Sequence, residues 1–439
     1  MLFSYRVHTK CKKGKDMVMR PVIKKISACE ILDSRGTPTL QATVVLEDGT
    51  AGIASVPSGA SRGKYEAFEK RDGDPTRYNG KGVLGATAAV EKQIAPALIG
   101  TNAADQARVD KLLISLDGTP NKHRLGANST LAVSLAAAHA AANFYHVPLF
   151  RHIGGIFAHK LPIPMFNVLG GGAHASNNVD VQEFMILPHG APCFAEALRW
   201  GTEIYHALGK LLRARGLQST VGDEGAFAPD LTCPADALDL LCEAIEAAGY
   251  RTSEVGIAID AAAGEWQTAN SYLLPKSGQH LDTAQLVAEW ESLLARYPIC
   301  SIEDPFAEED AKGWQALGTH CGKDLMLVGD DLFVTSSARL QKGIEKGLGN
   351  AILIKPNQIG TLSETFEVVR LAQKSGYRVI LSHRSGETED TSIADIAVGV
   401  GADFIKAGAP CRSERLAKYN RLLRIAAHCG DSKASAKDA

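Results

Sequence analysis

The stretch AILIKPNQIGTLSETFEVVRLAQKSGYRVILSH, residues 351–383, predicts a strand, a helix and a second strand. Two apolar runs, AILI and RVIL, are joined by a segment of helical composition, LSETFEVVRLAQKSG. Each run leads into a residue whose side chain can transfer protons, Lys355 after the first and His383 after the second. Apolar strands that alternate with helices are typical of a parallel sheet covered by helices.

The same arrangement recurs on both sides of this stretch. Four more short apolar runs carry a polar residue at or near their ends, namely GIAID with Asp260, ICSIED with Glu303, LMLVGDD with Asp330 and DFIK with Lys406. A unit of about 30 residues fits a βα repeat, and the active site of a β/α barrel lies at the C-terminal ends of its strands. One such residue need only terminate its strand, but six in register, with acids first and bases later, favour a shared site.

The chain before the barrel predicts a smaller domain. Residues 22–58 have the composition of β-structure, with a turn at Glu47-Asp48-Gly49, and the helical segments ATAAVEKQIAPALIG and NSTLAVSLAAAHAAANFY follow. The first twenty residues lack the apolar core of a signal peptide. We expect a flexible basic tail over 1–21, an α+β domain over 22–157, a barrel domain over 158–430 and a flexible tail over 431–439.

Composition excludes several classes of function. The formal net charge of the 439 residues is -2, so no overall field attracts nucleic acid or an anionic membrane. No apolar run approaches the roughly 20 residues that a membrane-spanning helix needs. Nine scattered cysteines without a C-x-x-C pair predict reduced, buried thiols in a cytoplasmic protein.

Asp260, Glu303 and Asp330 are predicted to hold a divalent metal ion. Three carboxylates at one barrel mouth repel each other unless a cation lies among them. Oxygen ligands select Mg²⁺, Mn²⁺ or Ca²⁺, and octahedral Mg²⁺ with water or substrate in its other positions is the expected ion. Separate salt bridges are the alternative explanation for the three acids.

The later strands bring cations and hydrogen-bond donors to the same mouth. A mouth with acids on one side and Lys355 and Lys406 on the other suits an anionic substrate bridged by metal. Arg384, followed by Ser385, offers a planar fork for phosphate. A lysine close to a second lysine and Mg²⁺ has its charged form disfavoured, so that it can serve as a base.

Two glycine-rich segments carry further candidate groups. GGGAHASNNVDVQEF contains His174, Gln182 and Glu183, and VGDEGAFAP contains Asp223 and Glu224. Close glutamates raise each other's pKa, which keeps one protonated as a general acid. Taken alone, each segment is equally well explained as a tight connecting turn.

The segment SGASRGK, residues 58–64, superficially resembles a phosphate-binding loop. It is one residue short of G-x-x-x-x-G-K, and Tyr65 follows where Ser or Thr is required. We therefore reject nucleotide binding and expect a flexible loop that closes over a ligand.

From about residue 22 to residue 430 the chain resembles the enolases. The matching strings are DSRGTPT, VPSGAS, GAN, NVDVQEFMI, VGDEG, SIEDPF, GDDLFVT, IKPNQIGTLSET, SHRSGETED and RSERLAKYNRLLRI. The resemblance implies an α/β fold, an enolase-type barrel of parallel-rich strands and helices preceded by a smaller α+β domain. It implies reversible dehydration of 2-phosphoglycerate to phosphoenolpyruvate in glycolysis and gluconeogenesis, by a cytoplasmic homodimer or a higher homo-oligomer.

The resemblance also implies two Mg²⁺ ions in each active site. Asp260, Glu303 and Asp330 would hold the tighter ion. Ser61 would help to hold the second ion, which binds together with the phosphate of the substrate.

The chemical roles implied by the resemblance fall on both halves of the mouth. Lys355 would remove the C2 proton, and Glu224, supported by Glu183, would protonate the departing C3 hydroxyl. Lys406 would stabilise the carboxylate of the intermediate. The groups that would grip the phosphate or line the closed site are Arg384, Ser385, Gln182, His174 and His383. Enolase-superfamily sites with a Lys or His base and one or two Mg²⁺ are a known pattern.

The sequence departs from the common enolase pattern at Thr37, Gln41, Arg62 and Ala226. Gln41 stands where many enolases carry a Glu that pairs across the dimer with an arginine like Arg424. Arg62 and Ala226 lie in loops that would tune substrate preference, so a sister enzyme acting on a phosphonate or another phosphorylated acid is the alternative. A non-catalytic binding protein is a second alternative, but every catalytic group is present.

Overall fold

A computed structural model describes residues 20–59, 63–269, 271–321 and 324–430. Residues 1–19 of the predicted first tail and the predicted tail at 431–439 lie outside these ranges. Ser61 and Arg62 also lie outside the described residues.

The first part of the chain is an antiparallel meander covered by helices. Its strands are β1 (Ile23–Leu32), β2 (Pro38–Leu46) and β3 (Ala51–Ser55), and the predicted turn at Glu47-Asp48-Gly49 joins the last two. The helices that follow are α1 (Leu84–Ala89), α2 (Ala95–Leu98), α3 (Gln106–Asp117), α4 (Ala127–Phe144) and α5 (Leu149–Gly154).

The alanine-rich helix α4 packs closely against β2 and β3. Gly52 in β3 lies at the closest point, where an added Cβ would sit 2.1 Å from the backbone nitrogen of Ala140. Small side chains on the helix and a glycine on the strand therefore let the two backbones approach.

The second part is a closed barrel of eight strands, which confirms the predicted fold class. The small hairpin β7 (Tyr272–Leu273) and β8 (His280–Leu281) lies outside the ring. The barrel strands in chain order are β4 (Ile163–Gly170), β5 (Glu183–Leu187), β6 (Gly256–Asp260), β9 (Ile299–Glu303), β10 (Met326–Gly329), β11 (Ala351–Ile354), β12 (Arg378–Ser382) and β13 (Phe404–Lys406).

Among the described residues, eight α-helices follow β5 in the chain, seven of them between barrel strands and the last one after β13. They are α6 (Phe194–Ala214), α7 (Pro234–Ala247), α8 (Thr283–Arg296), α9 (Ala311–Cys321), α10 (Ser337–Lys346), α11 (Leu362–Lys374), α12 (Ser392–Gly399) and α13 (Ser413–Cys429). The strand, helix and strand predicted over 351–383 are β11, α11 and β12. Thr361 ends the connection before α11, where its side chain accepts a hydrogen bond from the Glu364 amide as an N-cap.

One strand of the barrel runs against the others. β5 is antiparallel to both β4 and β6, and Glu183 pairs with Asp260 in their register. The first residue of β5 therefore lies at the same mouth as the last residues of the parallel strands.

The barrel interior explains which side chains reach the mouth. An inner apolar layer includes Met185, Ala258, Val328 and Leu353. Because side chains alternate along a strand, the residues two positions nearer the mouth also face inward. In the same order these are Glu183, Asp260, Asp330 and Lys355.

Two other expectations have different outcomes. No helix in the described part of the chain is long and apolar enough to cross a membrane. Cys29 and Cys233 are exposed, and the other five cysteines whose burial is described are half-buried, so the prediction of buried thiols is wrong. The predicted domain limits stay a prediction.

Candidate active site

A cavity at the barrel mouth, with an empty volume of about 510 Å³, brings the predicted groups together. Glu303 does not itself line the cavity but contacts Lys406, which does. Ser61 lies outside the described residues. The predicted residues that line the cavity are His174, Gln182, Glu183, Glu224, Asp260, Asp330, Lys355, His383, Arg384, Ser385 and Lys406.

Lys406, at the end of β13, is the central cation of the cavity. Its Nζ lies 2.8 Å from Glu183 Oε2, 3.0 Å from Asp260 Oδ2 and 2.8 Å from Glu303 Oε2. Burial disfavours the ammonium form, but the three carboxylates together raise the pKa of Lys406 well above its usual value. Lys406 is therefore a fixed positive charge.

The predicted metal ligands fit a divalent cation. Asp260 and Glu303 are register partners on neighbouring strands, and Asp330 directly follows the next strand, β10. Glu303 Oε1 is buried and accepts no hydrogen bond from any described residue. Burial and the Asp260 charge raise the pKa of Glu303 well above its usual value, so the ionised form of Glu303 is disfavoured. A bound divalent cation would stabilise that ionised form.

A second carboxylate group shares Asp330 with the predicted site. The carboxylates of Asp304, Asp330 and Asp331 come within 4.8 Å of one another. The Asp304 carboxylate, however, accepts backbone hydrogen bonds from Asp330 at 3.1 Å and Asp331 at 2.7 Å. Asp304 therefore shapes the loop after β10.

Lys355 is held in its charged form by an acid. Its Nζ donates a hydrogen bond to Asp330 Oδ2. Burial lowers the pKa of Lys355, but the Asp330 carboxylate outweighs this and the net change is upward. Arg384 and Lys406 lower this pKa, as predicted for neighbouring cations, but Asp330 and Glu303 raise it.

Glu224 lies on the loop between α6 and α7, with both carboxylate oxygens engaged. Oε2 is 3.2 Å from His383 Nε2, and Oε1 accepts a hydrogen bond of 3.0 Å from Ser385 Oγ. Burial raises the pKa of Glu224, but its contacts with His383 and His174 hold it well below its usual value. In contrast, burial raises the pKa of Glu183. The pKa values of the two glutamates are therefore shifted in opposite directions, so Glu183 binds a proton more readily than Glu224.

His174 joins the two glutamates. Its Nδ1 lies 3.2 Å from Glu183 Oε1 and 3.6 Å from Glu224 Oε1, and its Nε2 lies 3.0 Å from Ser385 Oγ. Burial opposes the charged ring, but Glu224 and Glu183 together raise the pKa of His174 to about 9.

Arg384 presents its guanidinium fork to a carboxylate. Nη1 lies 3.0 Å from Glu66 Oε2 and Nη2 lies 3.2 Å from Glu66 Oε1. Nη1 also donates to Asn357 Oδ1 at 3.2 Å. The guanidinium fork that was predicted to bind phosphate is thus occupied by the carboxylate of Glu66.

The sequence reasoning missed several residues of this site. Asn167 Nδ2 donates to Glu224 Oε2 at 3.3 Å, and Gln358 Nε2 donates to Asp330 Oδ1 at 3.0 Å. Arg415, in the first turn of α13, is fully buried and donates to the Arg384 carbonyl at 2.6 Å. Arg415 lies in the enolase-like string RSERLAKYNRLLRI, and Glu66 closely follows the segment SGASRGK. No local sequence pattern marks either residue as part of the site.

Two family models match this chain. The model described as "Enolase, N-terminal domain" matches residues 23–153, and "Enolase, C-terminal TIM barrel domain" matches residues 158–438. The chain is 56% identical over 412 residues to the enolase of Acidothermus cellulolyticus, covering 94% of this chain and 95% of that protein. With both parts of the fold matched and the cavity residues in place, the chain belongs to the enolase family.

Proposed function

We propose that Lys355 and Glu224 carry the two proton transfers of the enolase reaction in this chain. As an enolase the chain is a lyase, a phosphopyruvate hydratase that interconverts 2-phosphoglycerate and phosphoenolpyruvate. The observation that supports the assignment is the division of one cavity: Lys355 contacts the metal-ligand side through Asp330, whereas Glu224 contacts two histidines.

Asp260, Glu303 and Asp330 would hold one Mg²⁺, and Ser61 would contribute to a second one bound with the substrate. Bound Mg²⁺ supplies positive charge to the substrate carboxylate and phosphate, so that charge developing in the transition state is stabilised. The enolase family is metal-dependent, and the carboxylate clusters suit it; the number of ions and these ligands are our proposal.

The first step removes the C2 proton from a carbon next to a carboxylate. That carboxylate is already negative, so the step places a second charge on it. Lys406, fixed by three acids, offsets the charge where it develops without having to reorganise. Lys355 must be neutral to accept the proton, and the acid that keeps it charged, Asp330, is itself a proposed metal ligand.

The second step protonates the C3 hydroxyl as it leaves. Glu224 is ionised in this structure, so it needs a proton from its neighbours. With a pKa of about 9, His174 holds a proton at neutral pH, and its Nδ1 contacts the carboxylates of Glu183 and Glu224. A proton can therefore pass from His174 to Glu224, and Glu183 lies beside the same nitrogen of His174. Arg384 and Ser385 would bind the phosphate, and Gln182 and His383 would complete the closed site.

We also propose that the enzyme is a cytoplasmic homodimer. Leu32 and Ile53 are each 53% exposed on the outer face of the first sheet, where they line a groove with Gln41. Gln41 Nε2 donates to Ser55 Oγ at 2.9 Å within its own sheet, and as a neutral residue it forms no ion pair with Arg424 of another copy. Sedimentation should show a dimer whose dissociation depends weakly on salt, and a monomer at micromolar concentration would refute it.

Turnover of 2-phosphoglycerate with and without Mg²⁺ tests the assignment directly. The purified protein should form phosphoenolpyruvate, detected by its ultraviolet absorbance, only when Mg²⁺ is present. A protein that left 2-phosphoglycerate unchanged but converted a phosphonate analogue would support the sister-enzyme alternative.

A further inference from the structure

The pair between Glu66 and Arg384 has the geometry of a bound oxyanion. Both carboxylate oxygens face the two outer nitrogens of the guanidinium, at 3.0 and 3.2 Å. The two side chains are only 6% and 5% exposed, so water screens the pair weakly. This two-point contact is the one that arginine forms with phosphate.

A phosphate that binds Arg384 through its fork must use the nitrogens that Glu66 occupies. Nη1 already shares its donors between Glu66 and Asn357, so that edge of the guanidinium has no spare donor for a second bidentate acceptor. A carboxylate and a phosphate held against one another would also repel strongly in a buried site. The two anions therefore exclude each other.

The Glu66 carboxylate accepts hydrogen bonds from two other donors, which remain available when it moves away from Arg384. Its Oε1 accepts a hydrogen bond of 3.0 Å from the Gly63 amide and one of 3.4 Å from Gln358 Nε2. The backbone beyond it is anchored, because the Ala67 amide donates to the Gln358 carbonyl at 2.8 Å. The carboxylate can thus leave Arg384 without becoming an unpartnered buried charge.

We infer that Glu66 is an internal competitor for the phosphate subsite, which the phosphate of the substrate must displace from Arg384. The inference rests on the proposed role of Arg384 in phosphate binding. Glu66 keeps the arginine paired and pre-oriented while the site is empty, and it lowers the affinity of the site for any phosphate. The apparent affinity for substrate then depends on the difference in free energy between the Arg384–phosphate contact and the Arg384–Glu66 contact.

Glu66→Gln tests this exchange, because it removes the charge and keeps the size of the side chain. Inorganic phosphate is the probe, measured by calorimetry and as a competitive inhibitor of 2-phosphoglycerate turnover with Mg²⁺ present. We expect its Kd to fall by roughly three- to tenfold, as expected when a partly buried competing charge is removed. Glu66→Ala removes the same charge in another way and should also tighten binding.

Two controls separate exchange from a general field effect. Glu309→Gln removes a negative charge beside the same segment, since Glu309 Oε1 accepts a hydrogen bond from Tyr65, but Glu309 is exposed and its Kd for phosphate should not change. In an Arg384→Gln background, Glu66→Gln should have no effect on phosphate binding. Thermal unfolding of each variant shows that the fold is retained.

The outcomes are distinct. Weaker or unchanged phosphate binding in both Glu66 variants would show that Glu66 merely positions Arg384, and would overturn the inference. An equal gain in Glu309→Gln would also overturn it, as a field effect. If the wild-type chain binds phosphate and responds to Glu66→Gln but does not turn over 2-phosphoglycerate, the proposed function fails and the competitor role stands.

Discussion

His383 Nδ1 lies 2.6 Å from Nη1 of Arg415, a nitrogen that can only donate. Nδ1 must therefore accept, so the ring carries its single proton on Nε2. That proton points towards Glu224 Oε2, which lies 3.2 Å from Nε2. An arginine on α13 thus fixes the tautomer of a histidine at the end of β12, which in turn donates to the proposed general acid.

Nitrogen NMR of histidine-labelled protein should find His383 and His174 in opposite states at pH 7. Burial, followed by the Arg415 charge, lowers the pKa of His383 to about 4, whereas the pKa of His174 is raised to about 9. His383 should stay neutral with its proton on Nε2 down to about pH 5, and His174 should stay charged to about pH 8. His383→Gln and His174→Gln assign the two signals, and a His383 ring that titrates near pH 6.5 would contradict the tautomer.

The same shifts set the sign of the pH dependence of stability. The unfolded chain binds more protons at His383 than the folded chain between about pH 4 and pH 6.5, so this group destabilises the fold as the pH falls through that window. His174 acts oppositely: its contribution is full below about pH 6.5 and is lost as the pH rises towards 9. The free energy of unfolding in urea should be measured across this pH range for the two glutamine variants. His383→Gln should reduce the pH dependence only between about pH 4 and pH 6.5, and His174→Gln only between about pH 6.5 and pH 9.

Gly52→Ala should destabilise the first domain without touching the site. The new methyl group would overlap the Ala140 backbone of α4, and overpacking against backbone costs about 1–3 kcal/mol or more. Gly318→Ala in α9 is the control, because its added Cβ meets only Leu327 at 3.6 Å and alanine favours the helix by about 1 kcal/mol. A thermal midpoint for Gly52→Ala equal to that of the wild type would refute the close packing.

EDTA should abolish turnover reversibly, and the carboxylates should differ in their effect on Mg²⁺ affinity. Asp260→Asn and Glu303→Gln should each weaken Mg²⁺ binding by roughly 100-fold or more, since loss of even an indirect support of a ligand costs 10- to 100-fold. Glu265→Gln removes an exposed acid that lines the same cavity and should leave binding nearly unchanged. Calorimetry that found the three variants equal would show that the cavity attracts Mg²⁺ only through its overall charge.

Isotope exchange should separate the two proton transfers. Lys355→Ala should lose turnover by roughly 10³-fold or more, together with exchange of the C2 proton with D₂O, because the base is gone. Glu224→Gln should lose dehydration but keep some exchange, since the first step does not need the acid. Normal exchange in Lys355→Ala would place the base elsewhere.

The parallel part of the fold could be predicted from sequence because each strand carries the same local pattern. Six apolar runs ending in polar residues predicted β6, β9, β10, β11, β12 and β13. The hairpin strands β4 and β5 escaped this pattern. Glu183 is the first residue of β5, and only the antiparallel direction of that strand brings it to the mouth.

The members of the site could be predicted better than their charge states. A second lysine and Mg²⁺ were expected near Lys355, but its closest ionic partner in the structure is Asp330. The geometry that decides such a balance involves side chains from different strands, and spacing along the chain does not contain it. Glu66 and Arg415 were missed for the same reason: they contact Arg384 from positions 318 and 31 residues away along the chain.

The ring of strands is closed by the pairing of β13 with β4, in which Phe404 lies opposite Ile163. During synthesis on the ribosome this seam stays open until the segment around Lys406 has emerged. The nascent barrel meanwhile has two unpaired strand edges, which are templates for association with other chains. A message truncated before codon 404 would therefore yield a chain with both edges exposed, a natural substrate for chaperones and proteases.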